Sequence, residues 1–281
     1  MKDFSGKTAV ITGGASGIGL AMAELFAAQG MKLVLGDIES DALTTAIEKL
    51  SAGGAECVGA VTDVSDPDQV QALADLAVER FGGIHIACNN AGVFTGGLLW
   101  EESLADYRWL MDVNVMGVVH GIRSFVPIMQ AQGDECHIVN TASMAAVTAM
   151  PYSGIYHMSK HAVLALSESL YHELSFHSPQ VKISVLCPEA INTGIATSER
   201  NRHTQYSDVV ESDERNMVMD ALNASVAGGI GPEVMAQRVL DAVINERFYI
   251  FSDELWRRSA ETRLEDIRLG RNPTFAPPIP E

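Results

Sequence analysis

Tyr156 and Lys160 are the two residues of this sequence whose types and spacing best suit the transfer of a proton. Residues four apart share one face of a helix, and the apolar positions that follow Tyr156 have helical spacing. A free phenol, with a pKa of about 10, is too weak a base at neutral pH. An ammonium group at about 4 Å, in an effective dielectric of about 20, contributes about 4 kcal/mol, which nearly suffices for a shift of about 2 to 3 pKa units. A lone Tyr–Lys pair is most often a surface contact, so its meaning depends on the elements around it.

The segment from Lys7 to Gln29 predicts a strand, a glycine-rich turn and a helix, in that order. The turn, residues 13–19, reads GGASGIG, and its glycines allow the backbone to turn sharply and to approach a phosphate closely. The N-terminus of the helix that follows offers free N–H groups and the positive end of the helix dipole to an anion. This arrangement predicts the pyrophosphate site of a dinucleotide.

Asp37 ends the next apolar strand, eighteen residues after Gly19, which is near the spacing expected for a carboxylate that binds the ribose hydroxyls of a dinucleotide. The same carboxylate repels a 2′-phosphate. Neither Ser16 in the turn nor Ile38 after the aspartate supplies a cation for that phosphate, so the sequence favours NAD over NADP.

Strand-like and helix-like segments alternate along the rest of the chain. This alternation predicts right-handed crossovers and a doubly wound parallel α/β sheet with helices on both faces. Ligands of such sheets bind at the carboxyl ends of the strands. The polar segments that follow predicted strands, and so meet at that edge, are Asp63-Val64, Asn89 to Gly92, Ser143 and Pro188 to Thr193.

The glycine spacing G-x-x-x-G-x-G, the Asn-Asn-Ala-Gly motif at 89–92 and the Tyr-x-x-x-Lys pair are found together in this chain. With them the chain resembles the short-chain dehydrogenase/reductase family over residues 7 to about 193. The resemblance implies a single Rossmann-type sheet of about seven strands. It also implies an NAD-dependent oxidoreductase, similar to the family's alcohol dehydrogenases, that interconverts a secondary alcohol and a ketone.

The resemblance further implies roles for individual residues. Tyr156 would be the general acid/base, and Lys160 would lower its pKa and hold the nicotinamide ribose. Ser143 would orient the substrate oxygen, and Asn114 would anchor a proton-relay water at a helix irregularity. The residues expected to bind the cofactor are Gly13, Ser16, Gly17, Ile18, Gly19, Asp37, Ile38, Asp63, Val64, Asn90, Ala91, Gly92, Tyr156, Lys160, Pro188, Ile191 and Thr193.

Glu189 departs from the family pattern P-G-x-x-x-T, because it stands where the pattern has glycine. Glutamate adopts a positive φ only at a cost. Either the turn differs from that of the family, or glycine is not needed there. A carboxylate at this position would also disfavour acidic substrates.

The chain carries a formal net charge of −17 and no basic cluster, so nucleic acids and anionic membranes lack an electrostatic attraction to it. No apolar run reaches the length of about 18 residues that spans a bilayer, and the first residues do not resemble a signal peptide; we therefore expect a cytoplasmic protein. The scattered cysteines indicate buried reduced thiols. His157 and His161 have a spacing that a metal can use, but no third ligand accompanies them, so no metal site is expected.

We expect one catalytic domain over residues 1–281, with a substrate-covering insertion at about 194–229 and an extended proline-rich tail at about 270–281. The long helices predicted at Leu104–Ala131 and Tyr156–His177 resemble those through which the family forms homodimers and homotetramers. Trp256 has no catalytic partner in the sequence. The apolar residues that suggest a pocket for a bulky, uncharged cyclic or aryl substrate are Phe94, Leu98, Leu99, Trp100, Met150, Tyr152, Met217, Met219, Leu222 and Val226.

Two alternative functions remain open at this point. An NADPH-dependent carbonyl reductase would share the fold and the catalytic residues and would differ at the adenosine ribose. A dinucleotide-binding sensor without turnover would not need the Tyr–Lys pair, so the presence of that pair favours an enzyme.

Overall fold

Seven parallel strands form one sheet in this computed structural model, which describes residues 1–251 and 254–277. The strands are β1 (Thr8–Thr12), β2 (Lys32–Asp37), β3 (Cys57–Val61), β4 (Ile86–Asn89), β5 (Cys136–Thr141), β6 (Val181–Cys187) and β7 (Tyr249–Phe251). Their order is β3-β2-β1-β4-β5-β6-β7, so the direction of winding reverses between β1 and β4. A crevice opens at the carboxyl ends of the strands where such a reversal occurs.

Helices cover both faces of the sheet. They are α1 (Gly17–Ala28), α2 (Ser40–Ala52), α3 (Pro67–Phe81), α4 (Leu104–Leu110), α5 (Gly117–Gln132), α6 (Gly154–His177), α7 (Asp213–Ala227), α8 (Pro232–Asn245) and α9 (Glu254–Leu269). Phe26 of α1 and Val239 of α8 belong to one core cluster, and Val70 of α3, Phe125 of α5 and Leu170 of α6 belong to a second. The predicted doubly wound α/β fold is confirmed.

Strand β1 shows why the central strands are apolar throughout. All of its residues are buried, and neighbouring side chains enter different cores, Ile11 the first cluster and Val10 the second. A strand covered on both faces needs apolar side chains in both directions. The four cysteines are free thiols, three of them buried and Cys57 half-buried, as the sequence predicts.

The long segment predicted as one helix after Leu104 is divided. α4 ends at Leu110, a π-helical segment covers Met111–Met116, and α5 begins at Gly117. Asn114 lies in the π-helical segment and is fully buried, so the predicted helix irregularity at this residue is confirmed. An added Cβ on Gly117 would lie 2.8 Å from Cγ2 of Val64, which explains glycine where α5 begins.

Residues 194–229, here called the lid, connect β6 to α8. Two 3₁₀ segments, Gly194–Asn201 and Thr204–Tyr206, precede α7 in the lid. Ile191 and Ile230 pair in an isolated bridge where the chain leaves and rejoins the sheet layer. The lid therefore begins and ends at one place, beside the carboxyl edge of the sheet.

The predicted tail lies only partly within the described residues, because 278–281 fall outside them. Its first part is tied to α9, since the main-chain N–H of Thr274 donates to Oδ2 of Asp266 at 2.8 Å. In residues 1–251 and 254–277, no helix combines the length and the apolar character that crossing a membrane requires.

Candidate active site

The glycine-rich turn between β1 and α1 forms a cradle without side chains. Gly13 and Gly17 have positive φ values of 62° and 51°, which other residues rarely adopt. An added Cβ on Gly19 would overlap the carbonyl oxygen of Gly13. Ser16 precedes the helix, and its side chain does not cap the first turn, so N–H groups at the start of α1 remain for an anion. The turn therefore fits the pyrophosphate of a dinucleotide.

Asp37 ties the end of β2 to this turn. Its Oδ2 accepts a hydrogen bond from the main-chain N–H of Ala15 at 2.9 Å, and its Oδ1 accepts one from that of Glu39 at 3.0 Å. Burial raises the pKa of Asp37, and these N–H donors oppose the rise. Carboxylate oxygens can accept further hydrogen bonds, so Asp37 fits a ribose diol while it supports the turn.

Asn90 joins the ends of three strands. Its Nδ2 donates to the carbonyl oxygens of Thr12 and Gly13 at 3.1 and 3.3 Å. Its Oδ1 accepts a hydrogen bond from the hydroxyl of Thr141 at 3.2 Å. The Asn-Asn-Ala-Gly motif therefore supports the glycine turn, and this support accounts for the polar side chain at the sheet edge.

Tyr156 lies in the first turns of α6, where its ring packs against Phe94 with centroids 4.9 Å apart. Burial raises the pKa of the Tyr156 phenol to about 12, and a hydrogen bond with Ser143 acts against this rise. Ser143 begins the turn after β5, and its hydroxyl also lies 3.4 Å from the carbonyl oxygen of Pro188. Tyr156, the predicted acid/base, and Ser143, the predicted orienting donor, are therefore in hydrogen-bond contact.

Lys160 is almost fully buried, and its Nζ donates to the carbonyl oxygen of Thr141 at 3.1 Å. The same Nζ lies 5.6 Å from the ring centroid of Tyr156. Burial lowers the pKa of Lys160 to about 8. Burial disfavours the charged form of each group and is the largest cause of both pKa shifts. A lowered pKa of Tyr156 therefore stays a prediction for the complex with a positively charged nicotinamide.

Asn114 is held behind the site by its own side chain. Its Oδ1 accepts a hydrogen bond from the main-chain N–H of Val93 at 2.8 Å, and its Nδ2 donates to the carbonyl oxygen of Val93 and to the hydroxyl of Ser159. An added Cβ on Gly92 would lie 3.2 Å from that Oδ1 and 3.4 Å from Nζ of Lys160. Asn114 therefore fixes the loop after β4 beside Lys160, and its amide is engaged with protein groups.

One cavity of about 490 Å³ extends from the glycine turn to the lid. Every residue predicted to bind the cofactor borders this cavity except Gly19. Gly19 packs against the carbonyl oxygen of Gly13 inside the turn. Ser143, Tyr156 and Lys160 border the cavity, and Asn114 does not. The structure thus brings the predicted dinucleotide site and the Ser–Tyr–Lys group together in one continuous space.

The substrate end of the cavity differs in part from the prediction. Phe94, Met150, Leu222 and Val226 line it as expected. The apolar residues that do not line it, contrary to expectation, are Leu98, Leu99, Trp100, Tyr152, Met217 and Met219. Side chains three or four residues apart share a helix face, and the inward face of α7 carries residues 218, 222 and 226, so Met217 points outward and is 51% exposed.

Two tryptophans that were not expected at the pocket also line the cavity. Trp109 of α4 and Trp256 of α9 both border it. Glu189 also borders the cavity. Tyr152 and Glu246 are the non-glycine residues with positive φ in the described chain, so the turn at Glu189 does not require glycine. The presence of glutamate in place of the family glycine therefore causes no backbone strain.

Buried ion pairs fasten the lid to α4. Oδ1 of the fully buried Asp106 lies 2.7 Å from Nη2 of Arg202 and 3.4 Å from Nη1 of Arg215. Both arginines also contact Glu199 at 2.6 Å. The guanidinium of Arg202 stacks over Trp109 at 4.1 Å from the ring centroid. We call Asp106, Glu199, Arg202 and Arg215 the lid network. No motif or spacing in the sequence indicates it.

Glu102 lies beside the lid network in an unfavourable environment. Both of its carboxylate oxygens are buried without a hydrogen-bond partner among the described residues. Burial raises the pKa of Glu102 to about 7; Asp106 adds to the rise, and Arg215 and Arg202 oppose it. Glu102 therefore titrates near neutral pH in the folded protein.

Comparison with known proteins agrees with this arrangement. The model of the short chain dehydrogenase family matches residues 7–204. The chain is 35% identical over 280 residues to the 1-deoxy-11-beta-hydroxypentalenate dehydrogenase of Streptomyces exfoliatus, covering 98% of this chain and 92% of that protein. It is 31% identical over 270 residues to the C alpha-dehydrogenase of Sphingobium sp., covering 95% of this chain and 87% of that protein.

Among solved structures, a short chain dehydrogenase/reductase from Burkholderia phymatum in complex with NAD is similar to this chain with a TM-score of 0.96. The sequences are 46% identical, and the match covers 98% of each chain. The predicted family is therefore confirmed by sequence and by structure. This chain belongs to the short-chain dehydrogenase/reductase family and is an oxidoreductase.

Proposed function

We propose that this enzyme interconverts a secondary alcohol and a ketone with NAD(H), and that its substrate is bulky, apolar and uncharged. The observation that carries the proposal is one continuous cavity that is bordered by Ser143 and Tyr156, by the glycine turn and by apolar residues of the lid.

The side chains where the glycine turn and the lid meet the cavity have separate roles in the proposed reaction. The Ser143 hydroxyl orients the substrate oxygen, and Tyr156 takes its proton during oxidation or returns one during reduction. Lys160, held by the carbonyl oxygen of Thr141, contributes positive charge and fits the nicotinamide ribose hydroxyls. Bound NAD⁺ would supply the hydride acceptor and a further positive charge.

The protonation state of Tyr156 sets its role in each direction of the reaction. The neutral phenol donates a proton to the oxygen of a ketone during reduction, and the phenolate accepts the proton of an alcohol during oxidation. Burial raises the pKa of Tyr156, and a positive charge close by favours the phenolate. Asn114 acts as a positioning residue through Val93, and a relay water at Asn114 would have to bind its main-chain oxygen, since its amide is engaged.

Asp37 supports NAD over NADP as the cofactor. It is buried at the end of β2, and the turn it holds carries Ser16 rather than a cation. The similar Burkholderia phymatum protein was solved with NAD. Rates with NAD and NADP, measured for the wild type and for Asp37→Ala, test this preference; faster turnover of wild type with NADP would reject it.

Tyr156→Phe tests the catalytic assignment, with oxidation of a panel of secondary alcohols followed by NADH absorbance. Removing the proton acceptor should reduce turnover by a factor of about 10² or more, while NADH binding is retained. Tyr171→Phe is the matched control, because Tyr171 lies on the same helix and is exposed. Near-normal turnover in Tyr156→Phe would contradict the assignment, and a panel without any turnover in wild type would contradict the proposed function.

A further inference from the structure

The first part of the lid makes contacts across the dinucleotide crevice. Nη2 of Arg200 lies 2.6 Å from Oε1 of Glu39, and Nδ2 of Asn201 donates to the same oxygen at 2.9 Å. Glu39 follows β2, whereas Arg200 follows β6, and β1, β4 and β5 lie between these strands in the sheet. A contact between them must therefore pass over the carboxyl edge where the glycine turn lies. We call Glu39, Arg200 and Asn201 the clasp.

A second side-chain contact crosses in the same direction. Nε2 of His203 lies 3.3 Å from Oδ2 of Asp63, at the end of β3. The hydrogen bonds from Arg200 and Asn201 hold the pKa of Glu39 below its ordinary value. The Glu39 carboxylate is therefore charged at neutral pH, as an ion pair with Arg200 requires.

Short contacts place the Arg200 guanidinium close to the phosphate cradle. An added Cβ on Gly17, the first residue of α1, would lie 2.9 Å from Cγ2 of Thr193. An added Cβ on Gly194, the next residue along the chain, would lie 3.2 Å from Nη2 of Arg200. The Arg200 guanidinium thus lies beside Gly194, and the residue before it, Thr193, lies beside the N-terminus of α1.

Arg200 retains donors that could bind an anion. Its Nη1 donates to the carbonyl oxygens of Gly194 and Thr197 at 3.0 and 2.8 Å and to the Thr197 hydroxyl. One N–H of Nη2 is used by Glu39. A guanidinium has five N–H donors, so Nε–H and the second N–H of Nη2 are without partners among the described residues. The side chain is 39% exposed and borders the cavity.

We infer that Arg200 is a cofactor-binding residue whose guanidinium contacts the pyrophosphate of the bound dinucleotide, and that Glu39 holds it in that position. A guanidinium recognises phosphate oxygens through charge-assisted hydrogen bonds. Asp37, Glu39 and Asp63 all border this cavity, so an incoming pyrophosphate meets several carboxylates and gains from a cation at its side. The inference rests on the proposed function only in taking the ligand to be a dinucleotide.

Arg200→Gln tests the contact through binding rather than turnover. Affinities for NADH, for ADP-ribose and for adenosine are measured with the purified enzyme by calorimetry or by saturation-transfer NMR. Loss of a charge-assisted hydrogen bond should lower the affinities for ADP-ribose and NADH by about 10-fold or more. The affinity for adenosine, which has no phosphate, should be unchanged. Arg268→Gln, on the exposed face of α9, is the control and should leave all three affinities unchanged.

The dependence of ADP-ribose affinity on salt gives a second readout. It should be shallower in Arg200→Gln than in wild type, because one phosphate–cation contact is lost. Equal weakening of adenosine and ADP-ribose with an unchanged salt slope would overturn the inference and assign Arg200 a purely structural role in the lid. Wild-type protein that binds neither ADP-ribose nor NADH would instead reject the proposed cofactor, a different result.

Glu39→Gln tests the role of the clasp. If Glu39 acts by holding Arg200, then Glu39→Gln lowers the affinity for ADP-ribose less than Arg200→Gln does. The double variant should then bind it no more weakly than Arg200→Gln alone, because residues that act as a unit are not additive. Additive losses in the double variant would show that Glu39 does not act through Arg200.

Discussion

The glycine turn and the lid border the same cavity, but they are held in place by different interactions. The turn depends on main-chain groups and small residues: Asp37 accepts from the N–H of Ala15, and Asn90 donates to the carbonyl oxygens of Thr12 and Gly13. The lid depends on charged side chains removed from water, with Asp106 fully buried between arginines. The two regions should therefore fail for different reasons.

The difference teaches where each region is vulnerable. A turn built on main-chain hydrogen bonds is disturbed by added volume, because its atoms are already in close contact. A buried ion network is disturbed by the loss of one charge, because the partner then remains buried without compensation. Three variants test this contrast, each directed at one of these weaknesses.

Asp106→Asn should have the largest effect of the three. It removes the charge that faces Arg202 and Arg215 while it keeps the size of the side chain. Loss of one partner from a buried pair costs about 3 to 5 kcal/mol, which should appear as a lower midpoint of urea unfolding. Asp220→Asn, at an exposed position of α7, should stay within about 0.5 kcal/mol of wild type. Equal midpoints for the two variants would show that the lid network does not stabilise the fold.

Gly19→Ala tests the turn. The added methyl group would overlap the carbonyl oxygen of Gly13, and overpacking of this kind costs about 1 to 3 kcal/mol. NADH affinity, measured by fluorescence titration, should fall as the turn shifts. Gly228→Ala is the control, since an added Cβ there would lie 3.6 Å from the nearest atom. Unchanged NADH affinity in Gly19→Ala would mean that the turn tolerates added volume and that the contrast with the lid is not real.

Glu102→Gln should have the smallest effect, and one that depends on pH. The folded-state pKa of Glu102, about 7, lies above its ordinary value of 4.5. The folded protein therefore binds more protons than the unfolded chain between these values, and wild type loses stability as pH rises through that window. The variant has no such loss, so its thermal midpoint should exceed that of wild type more at pH 8 than at pH 5. Glu101→Gln, on the exposed neighbour, should follow wild type, and a pH-independent difference would contradict the burial of Glu102.

The region around the glycine turn could be predicted because its determinants are local. Strand, turn and helix follow one another within residues 7–29, and Asp37 comes directly after the next strand. The alternation of strands and helices gave the doubly wound sheet, and the sheet then explains why Asn90, Ser143 and Thr193 meet at one edge. The sheet and the glycine turn could therefore be predicted mainly because they depend on main-chain geometry.

The lid could not be predicted in the same way, because its partners are distant in sequence. Asp106 meets arginines 96 and 109 residues further along the chain, and no spacing rule connects such charges. The inward face of α7 depends on where that helix begins, so Met217 was assigned to the wrong side. The burial of Tyr156, which raises its pKa, likewise depends on the folded environment and cannot be read from the spacing of Tyr156 and Lys160.

The matched family region ends at residue 204, yet the cavity wall continues through residues that follow it. These later contributors are Tyr206, Val218, Ala221, Leu222, Ser225, Val226 and Trp256. The residues proposed for proton transfer and for nucleotide binding thus lie in the common portion, and much of the cavity wall beyond them comes from the final quarter of the molecule. Exchange of that quarter between relatives would be a direct route to new selectivity, with the reaction itself left intact.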